Sequence, residues 1–255
     1  MALENINNNQ DPQSWINSTT GDIKKVIVYH ASRQVVKTPR WNYVPPGRSV
    51  GEQEKKDFGI GFYTCIHPDY PIELYCAYDT VIVNKYELDL SGLDPKPIRF
   101  ENDRTWLLVV AAHRDNFSRF RKWHDLRDQI RETVKTQHVM IGAISNDRFF
   151  SAFERFLAGG YTDEFTIRVA QLINYPEQYV LKSDVACQRI EFAGYGEVAQ
   201  DVLVRHRDRK ADSKALERQR IRDLEEAARA DGTFGRGMSF QDIVEEVYDN
   251  GGFRL

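Results

Sequence analysis

Two short segments hold residue types that together suit a flat cation attached to a sugar. His30 ends an apolar, β-branched run, Val26-Ile27-Val28-Tyr29, and is followed by the small pair Ala31-Ser32. A strand ending there puts the imidazole at its mouth, and the small residues let a ligand approach the main chain. Downstream, Asp57-Phe58-Gly59-Ile60-Gly61-Phe62-Tyr63-Thr64 sets two glycines ahead of an aromatic pair. The chain can turn tightly there and present Tyr63 beside an open strand edge. A positively charged nicotinamide ring lying on Tyr63 would gain about 1 to 2 kcal/mol from stacking and cation–π attraction once desolvated. One nitrogen of His30 would bond a ribose hydroxyl while a backbone partner fixes the other. Ser32, two residues further along an extended chain, shares the face of His30, and Thr64 adds a hydroxyl beside Tyr63. The spacing predicts an NAD pocket with contacts from His30, Ala31, Ser32, Tyr63 and Thr64.

These segments resemble the ADP-ribosyltransferase superfamily, whose members carry a strand-end histidine, a Gly-x-Gly-x-Tyr-like segment and a late polar residue on a strand. A closer resemblance is to a bacterial family of ADP-ribosyltransferase-like proteins catalogued as a domain of unknown function, often toxins encoded beside a small partner protein. Five landmarks match in order: Tyr29-His30-Ala31-Ser32, Asp57 to Thr64, Trp106 to Arg114, Ile141 to Asp147, and Gln188-Arg189-Ile190-Glu191-Phe192. They span about residues 25 to 193. Ala31-Ser32 stands where the family commonly has Gly-Ser.

The resemblance implies an α+β fold with an ADP-ribosyltransferase-like split β-sheet core, flanking helices and a helical C-terminal extension. It also implies NAD as substrate, no metal, a macromolecular acceptor (protein or nucleic acid), and a small antitoxin or regulatory protein on the C-terminal helices. In many superfamily members the late polar residue is a glutamate that accepts from a ribose hydroxyl. Here the landmark gives Gln188 that place, with Glu191 as the fallback and Arg114 as a contact to pyrophosphate or substrate. Glutamine accepts a hydrogen bond through its carbonyl oxygen but carries no charge and cannot serve as a general base. Three functions therefore stay open: mono-ADP-ribosyl transfer by a toxin or effector, NAD hydrolysis on the same scaffold, and a non-catalytic module that binds a partner.

Each residue also has a structural reading. A lone strand-end histidine often serves packing, Phe62-Tyr63 suits a core, Asp57 suits a loop brace, and Thr64 suits a strand hydrogen bond. Arg114 ends an apolar helix, where a cation complements the dipole. Asn146-Asp147 suits a helix cap.

With 255 residues, 41% hydrophobic, the chain has material for one substantial core plus extensions. A net charge of -3 gives no global attraction to nucleic acid or anionic membrane. No apolar run reaches the roughly 20 residues that span a bilayer, and no basic-then-apolar leader marks secretion. Three cysteines, Cys65, Cys76 and Cys187, are irregularly spaced. They suit free thiols in a reducing, cytoplasmic setting, and no zinc spacing joins them to histidines.

The elements that would position the pocket follow from periodicity. Residues 1–22, polar apart from residues such as Trp15, read as a flexible leader, 23–204 as the main domain, and 205–255 as the helical extension. Strands are expected at about 25–30, 61–66, 82–90, 138–145, 178–182 and 188–193. Helices are expected at 71–78, 104–113, 147–157, 164–173 and 208–230, with a last one opening at Ser239, where Asp242 completes a capping box. Segment 117–137, rich in both charges and holding Trp123, reads as an inserted helix or loop. The apolar face of the last helix, Phe240, Ile243, Val244, Val247 and Tyr248, either packs on the main domain or binds a partner.

Overall fold

The structure, a computed structural model, describes residues 25–45, 47, 49–114, 121–145, 147–173 and 175–255, without the side chains of Asp147 and Arg148. The leader with its Trp15, Asn146 and positions 117–120 lie outside the described residues.

Seven strands form one mixed sheet in the order β4-β5-β6-β2-β1-β3-β7. They are β1 (Lys25–Ser32), β2 (Phe62–Cys65), β3 (Ile82–Asp89), β4 (Ile98–Arg99), β5 (Val139–Ala143), β6 (Glu177–Leu181) and β7 (Ile190–Glu197). All neighbours run antiparallel except β4 and β5. The expected α+β class holds. β1 pairs with β3 over eight residues and β2 with β6 over four, yet β1 and β2 share one ladder pair, Tyr29 with Cys65. The sheet is thus two half-sheets joined at a narrow seam, and the seam lies between the two segments whose residue types suggested chemistry.

Nine helices are described among these residues, and most of the larger ones cover one face. They are α1 (Val50–Glu54), α2 (Asp69–Tyr75), α3 (Arg104–Arg114), α4 (Arg121–Lys135), α5 (Asp147–Leu157), α6 (Asp163–Ile173), α7 (Asp184–Cys187), α8 (Gln200–Ala230) and α9 (Phe240–Asp249). α3 is apolar around its whole circumference, Trp106 through Ala112 all being buried, so another layer must cover it. α4 supplies that layer through Trp123, Leu126, Ile130 and Val134, spaced three and four apart. The charged insertion is therefore a core element with one wet face. Burying a side chain as large as Trp106 or Phe153 stabilises by about 1.5 to 3 kcal/mol, and both belong to the largest apolar cluster.

α9 opens with the expected capping box, Ser239 with Asp242. Its apolar face packs inside the chain, Phe240 meeting Trp123 edge-on at 4.8 Å and Phe156 at 5.5 Å. α8 starts eight residues before the expected 208, because Leu203 and His206 are buried and anchor its first turns. The expected domain boundary at 204/205 falls inside this continuous helix. β7 begins at Ile190, two residues later than expected, since the Ser183 side chain caps α7 and keeps the chain helical through Cys187. The short α1 and β4 had no periodic signal to reveal them. Among the described residues no helix is long and apolar enough to cross a membrane.

The opposite face of the sheet carries Val28, Phe62, Tyr86, Leu88, Tyr179 and Leu181 under loops and α7. Strand alternation then assigns the sides. His30 lies with Val28 and Phe62 on the loop-covered face, whereas Tyr63 and Gln178 lie on the helix-covered one.

Candidate functional site

The segment from Asp57 to Gly61 is a turn held from every side. Asp57, buried, forms an ion pair with Arg114 at the end of α3, Nε to Oδ1 2.6 Å. Its other oxygen accepts from the Ser145 backbone N–H at 2.9 Å and from Gln178 Nε2 at 2.8 Å. Phe58 stacks on Phe100 at 5.4 Å. The Tyr63 hydroxyl reaches back, donating to the Gly59 carbonyl at 2.7 Å and accepting from the Phe58 N–H at 3.1 Å. Lys182 Nζ donates to the Phe58 and Ile60 carbonyls. Gly59 sits at φ +71°, and a Cβ there would lie 2.7 Å from the His113 ring. Gly61 lets β2 approach β6, since a Cβ would lie 2.5 Å from Val180 Cγ1. The two glycines thus have separate causes, handedness with contact at the first and strand spacing at the second.

His113, 6% exposed, lies against this turn with Nδ1 2.9 Å from the Val109 carbonyl. Burial, aided by Lys182, Arg131 and Lys135, lowers its pKa to about 3. The unfolded chain therefore takes up this proton near pH 6.5 while the folded chain does not, so stability falls as pH drops through that window. Urea titrations should lose on the order of 4 kcal/mol between pH 6.5 and 3 from this group. His113→Leu should flatten that part of the profile, and an unchanged slope would refute the assignment.

At the seam, His30 Nδ1 lies 2.8 Å from the Tyr63 carbonyl oxygen. That oxygen only accepts, so Nδ1 carries the proton and Nε2 is left with a bare lone pair. The ring leans on Phe62, centroids 4.5 Å apart and planes at 37°. Burial pushes the histidine down to about 4, against the raising effect of the Tyr63 carbonyl and with help from Lys56. The imidazole is neutral at physiological pH, and Nε2 has no partner among the described residues. It can accept a hydrogen bond from a hydroxyl.

Gln178 is arranged in the same way. Asp57 and the Ala143 carbonyl, at 3.3 Å, take its Nε2, so its carbonyl oxygen has a fixed direction and no partner among the described residues. Asp57 draws on the amide N–H and thereby polarises the carbonyl, making Oε1 a stronger acceptor than an ordinary glutamine's. Register puts Cys65 opposite Gln178 and Val180 opposite Tyr63, so Gln178 and Tyr63 are diagonal neighbours on one face.

The other expected site residues fall elsewhere. Gln188 is exposed and caps α7; it lies beyond the Leu88–Ile190 pair, whereas His30 is level with Asn84. At least four residues of strand, about 14 Å, separate the two levels. Glu191 is exposed opposite Glu87 and, by alternation from Phe192, faces away from the His30 side. Neither meets the seam, because β7 is the far edge of the sheet and β6, not β7, borders the strand of Tyr63. Arg114 braces Asp57 and stands over the Phe150 ring at 5.5 Å. Thr64, buried, donates to the Tyr179 carbonyl at 2.9 Å as an internal strand bond. Ala31 is 1% exposed, so its main chain is covered. Ser32 Oγ donates to the Gln34 carbonyl at 2.5 Å and accepts from Asn84 Nδ2 at 3.1 Å. Tyr63 has the Lys56 ammonium over its ring at 4.8 Å, and burial raises its phenol well above the usual range. A nicotinamide on that ring face would replace one cation by another.

Asn84, Gln178 and Lys182 were not singled out by sequence reasoning. Asn84, fully buried, holds the chain after β1 by accepting from Val36 N–H at 2.8 Å. The available signal for Gln178 was the polar pair Glu177-Gln178 opening an otherwise apolar strand directly after Pro176. Glu177, on the other face, pairs with Arg99 at 3.0 Å, and burial raises its pKa. Among the described residues no cluster of His, Cys, Asp and Glu could hold a metal ion.

Fold and site define an α+β protein whose mixed sheet carries, at its narrow seam, a neutral histidine with one ring nitrogen unpartnered among the described residues. The chain belongs to the family described as a protein of unknown function (DUF3990), whose model matches residues 26–192, from β1 into β7. No curated protein and no solved structure matches the chain.

Proposed function

We propose that this chain binds NAD across the seam between β1 and β2, breaks its nicotinamide–ribose bond and transfers the ADP-ribose to a macromolecule, as a toxin or effector. The observation that carries the reading is the locked tautomer of His30, a neutral imidazole at the seam whose Nε2 has no partner among the described residues. On the loop-covered face, His30 Nε2 accepts from a hydroxyl of the adenosine ribose. On the helix-covered face, the nicotinamide ring takes the place of the Lys56 ammonium on Tyr63, and Gln178 Oε1 faces the other ribose, the one joined to nicotinamide, as its C1′–nitrogen bond lengthens. Positive charge then develops on the ribose, and a carbonyl oxygen polarised by Asp57 stabilises it more than it stabilises the ground state. Nicotinamide leaves neutral with the bonding pair, and the acceptor's oxygen or nitrogen joins C1′ and gives up its proton to solvent. Water in place of the acceptor makes the same chain an NAD hydrolase.

Three free cysteines suit a reducing, cytoplasmic setting. A small antitoxin on the C-terminal helices would use the outer surface of α8, where Val204 and Leu216 are exposed, because α9 has its apolar face covered.

The test is incubation of purified protein with NAD and mass detection of nicotinamide, ADP-ribose and ADP-ribosylated products. His30→Ala should raise the NAD KM about tenfold, the worth of one hydrogen bond of about 1.4 kcal/mol. Absence of NAD binding and of nicotinamide release in the wild type would leave a partner-binding module as the reading.

A further inference from the structure

A lysine is seldom buried without a carboxylate, yet Lys182 is 7% exposed and has no acidic partner among the described residues. It follows the last residue of β6, and its backbone N–H bonds the His138 carbonyl at 2.9 Å. The side chain turns back to the glycine-bearing turn, with Nζ donating to the Ile60 carbonyl at 2.9 Å and to that of Phe58. Those carbonyls flank Gly59, whose own oxygen takes the Tyr63 hydroxyl. Lys182 and Tyr63 therefore grip three successive carbonyls of one turn.

We infer that Lys182 is a positioning residue: its amine pins the Phe58–Ile60 turn and so sets the place of Tyr63, on which NAD binding depends. The dependence on NAD rests on the function proposed above, whereas the pinning does not.

The groups around this amine are His113 of α3, neutral against the turn, with Arg131 and Lys135 of α4 acting on that ring, and Asp57, Tyr63 and Arg114 across the turn. Burial lowers Lys182 to about 7. Below that pH the ammonium makes charge-assisted bonds; above it a neutral amine still donates, about half as strongly. The turn should loosen as pH rises. Global stability should move the other way, because the unfolded lysine keeps its proton up to about pH 10 and the unfolded chain then binds more protons than the folded one. A lysine that merely fills space would not produce these opposed trends.

The experiment is hydrogen exchange of residues 57–63 in the whole wild-type chain from pH 6 to 8.5, corrected for intrinsic rate, beside NAD kinetics and urea midpoints. Exchange of this segment should rise several-fold above pH 7 while the urea midpoint rises, and the NAD KM should increase several-fold with kcat little changed. Lys182→Met should exchange fast at every pH, have a higher urea midpoint at pH 6, and lose both pH trends. Flat exchange in the wild type together with unchanged protection in Lys182→Met would overturn the inference. Exchange that follows pH in a wild type releasing no nicotinamide would keep the pinning and remove the NAD reading.

Discussion

Gln178→Ala is expected to lower nicotinamide release by roughly 10²- to 10³-fold, the cost of losing one preorganised electrostatic partner of the transition state. Gln188→Ala should leave release unchanged. The contrast follows from topology. Gln178 stands on β6, the neighbour of the Tyr63 strand, with its amide N–H held by Asp57 and its carbonyl oxygen unpartnered among the described residues. Gln188 is an exposed cap of α7 at the far end of the outer half-sheet. Single-turnover release, normalised to folded protein, separates chemistry from stability; the KM should change far less than kcat, because the interaction is made as charge develops. Equal losses in both variants, or none in Gln178→Ala, would remove Gln178 from the mechanism.

Asp57→Ala should cost about 3 to 5 kcal/mol of stability, the usual consequence of removing one partner of a buried ion pair. Three groups lose a partner at once: Arg114, the Ser145 N–H and Gln178 Nε2, which keeps only the longer bond to the Ala143 carbonyl. These come from α3, the end of β5 and β6, so the variant also frees the glycine turn from the elements around it. Asp57→Asn, which keeps one acceptor oxygen but not the charge, should cost less than the alanine variant. Urea unfolding at pH 7 measures both, and a loss below about 1 kcal/mol for Asp57→Ala would show that the carboxylate is not the hub of this turn.

Much of the fold was legible in residue order. Apolar, β-branched and aromatic runs such as Val26-Ile27-Val28-Tyr29 located six strands to within four residues at each end, because buried strands need such side chains whatever the topology. The capping box at Ser239 was local and so was visible. Asp57 was legible as a brace, whereas Thr64, expected to contact NAD, donates to a strand carbonyl instead, a role its residue type equally allows.

The late polar residue expected at the pocket lies away from the seam for a physical reason. Gln188 and Gln178 both precede apolar runs, and only strand order says which run lies beside Tyr63. In the same way His30 and Tyr63 read as one pocket, although they occupy opposite faces and are joined through the Tyr63 carbonyl. A sequence records period, and period fixes faces only within one strand.

By itself, then, the sequence determined most of the element types, the capping box at Ser239 and the glycine turn, all of which depend on contacts within a few residues. Tertiary structure alone decided the seam, the tautomer of His30, the hold of Asp57 on Gln178 and the burial of Lys182. Those arise between residues 33 to 124 positions apart, where side-chain chemistry is known but distance is not.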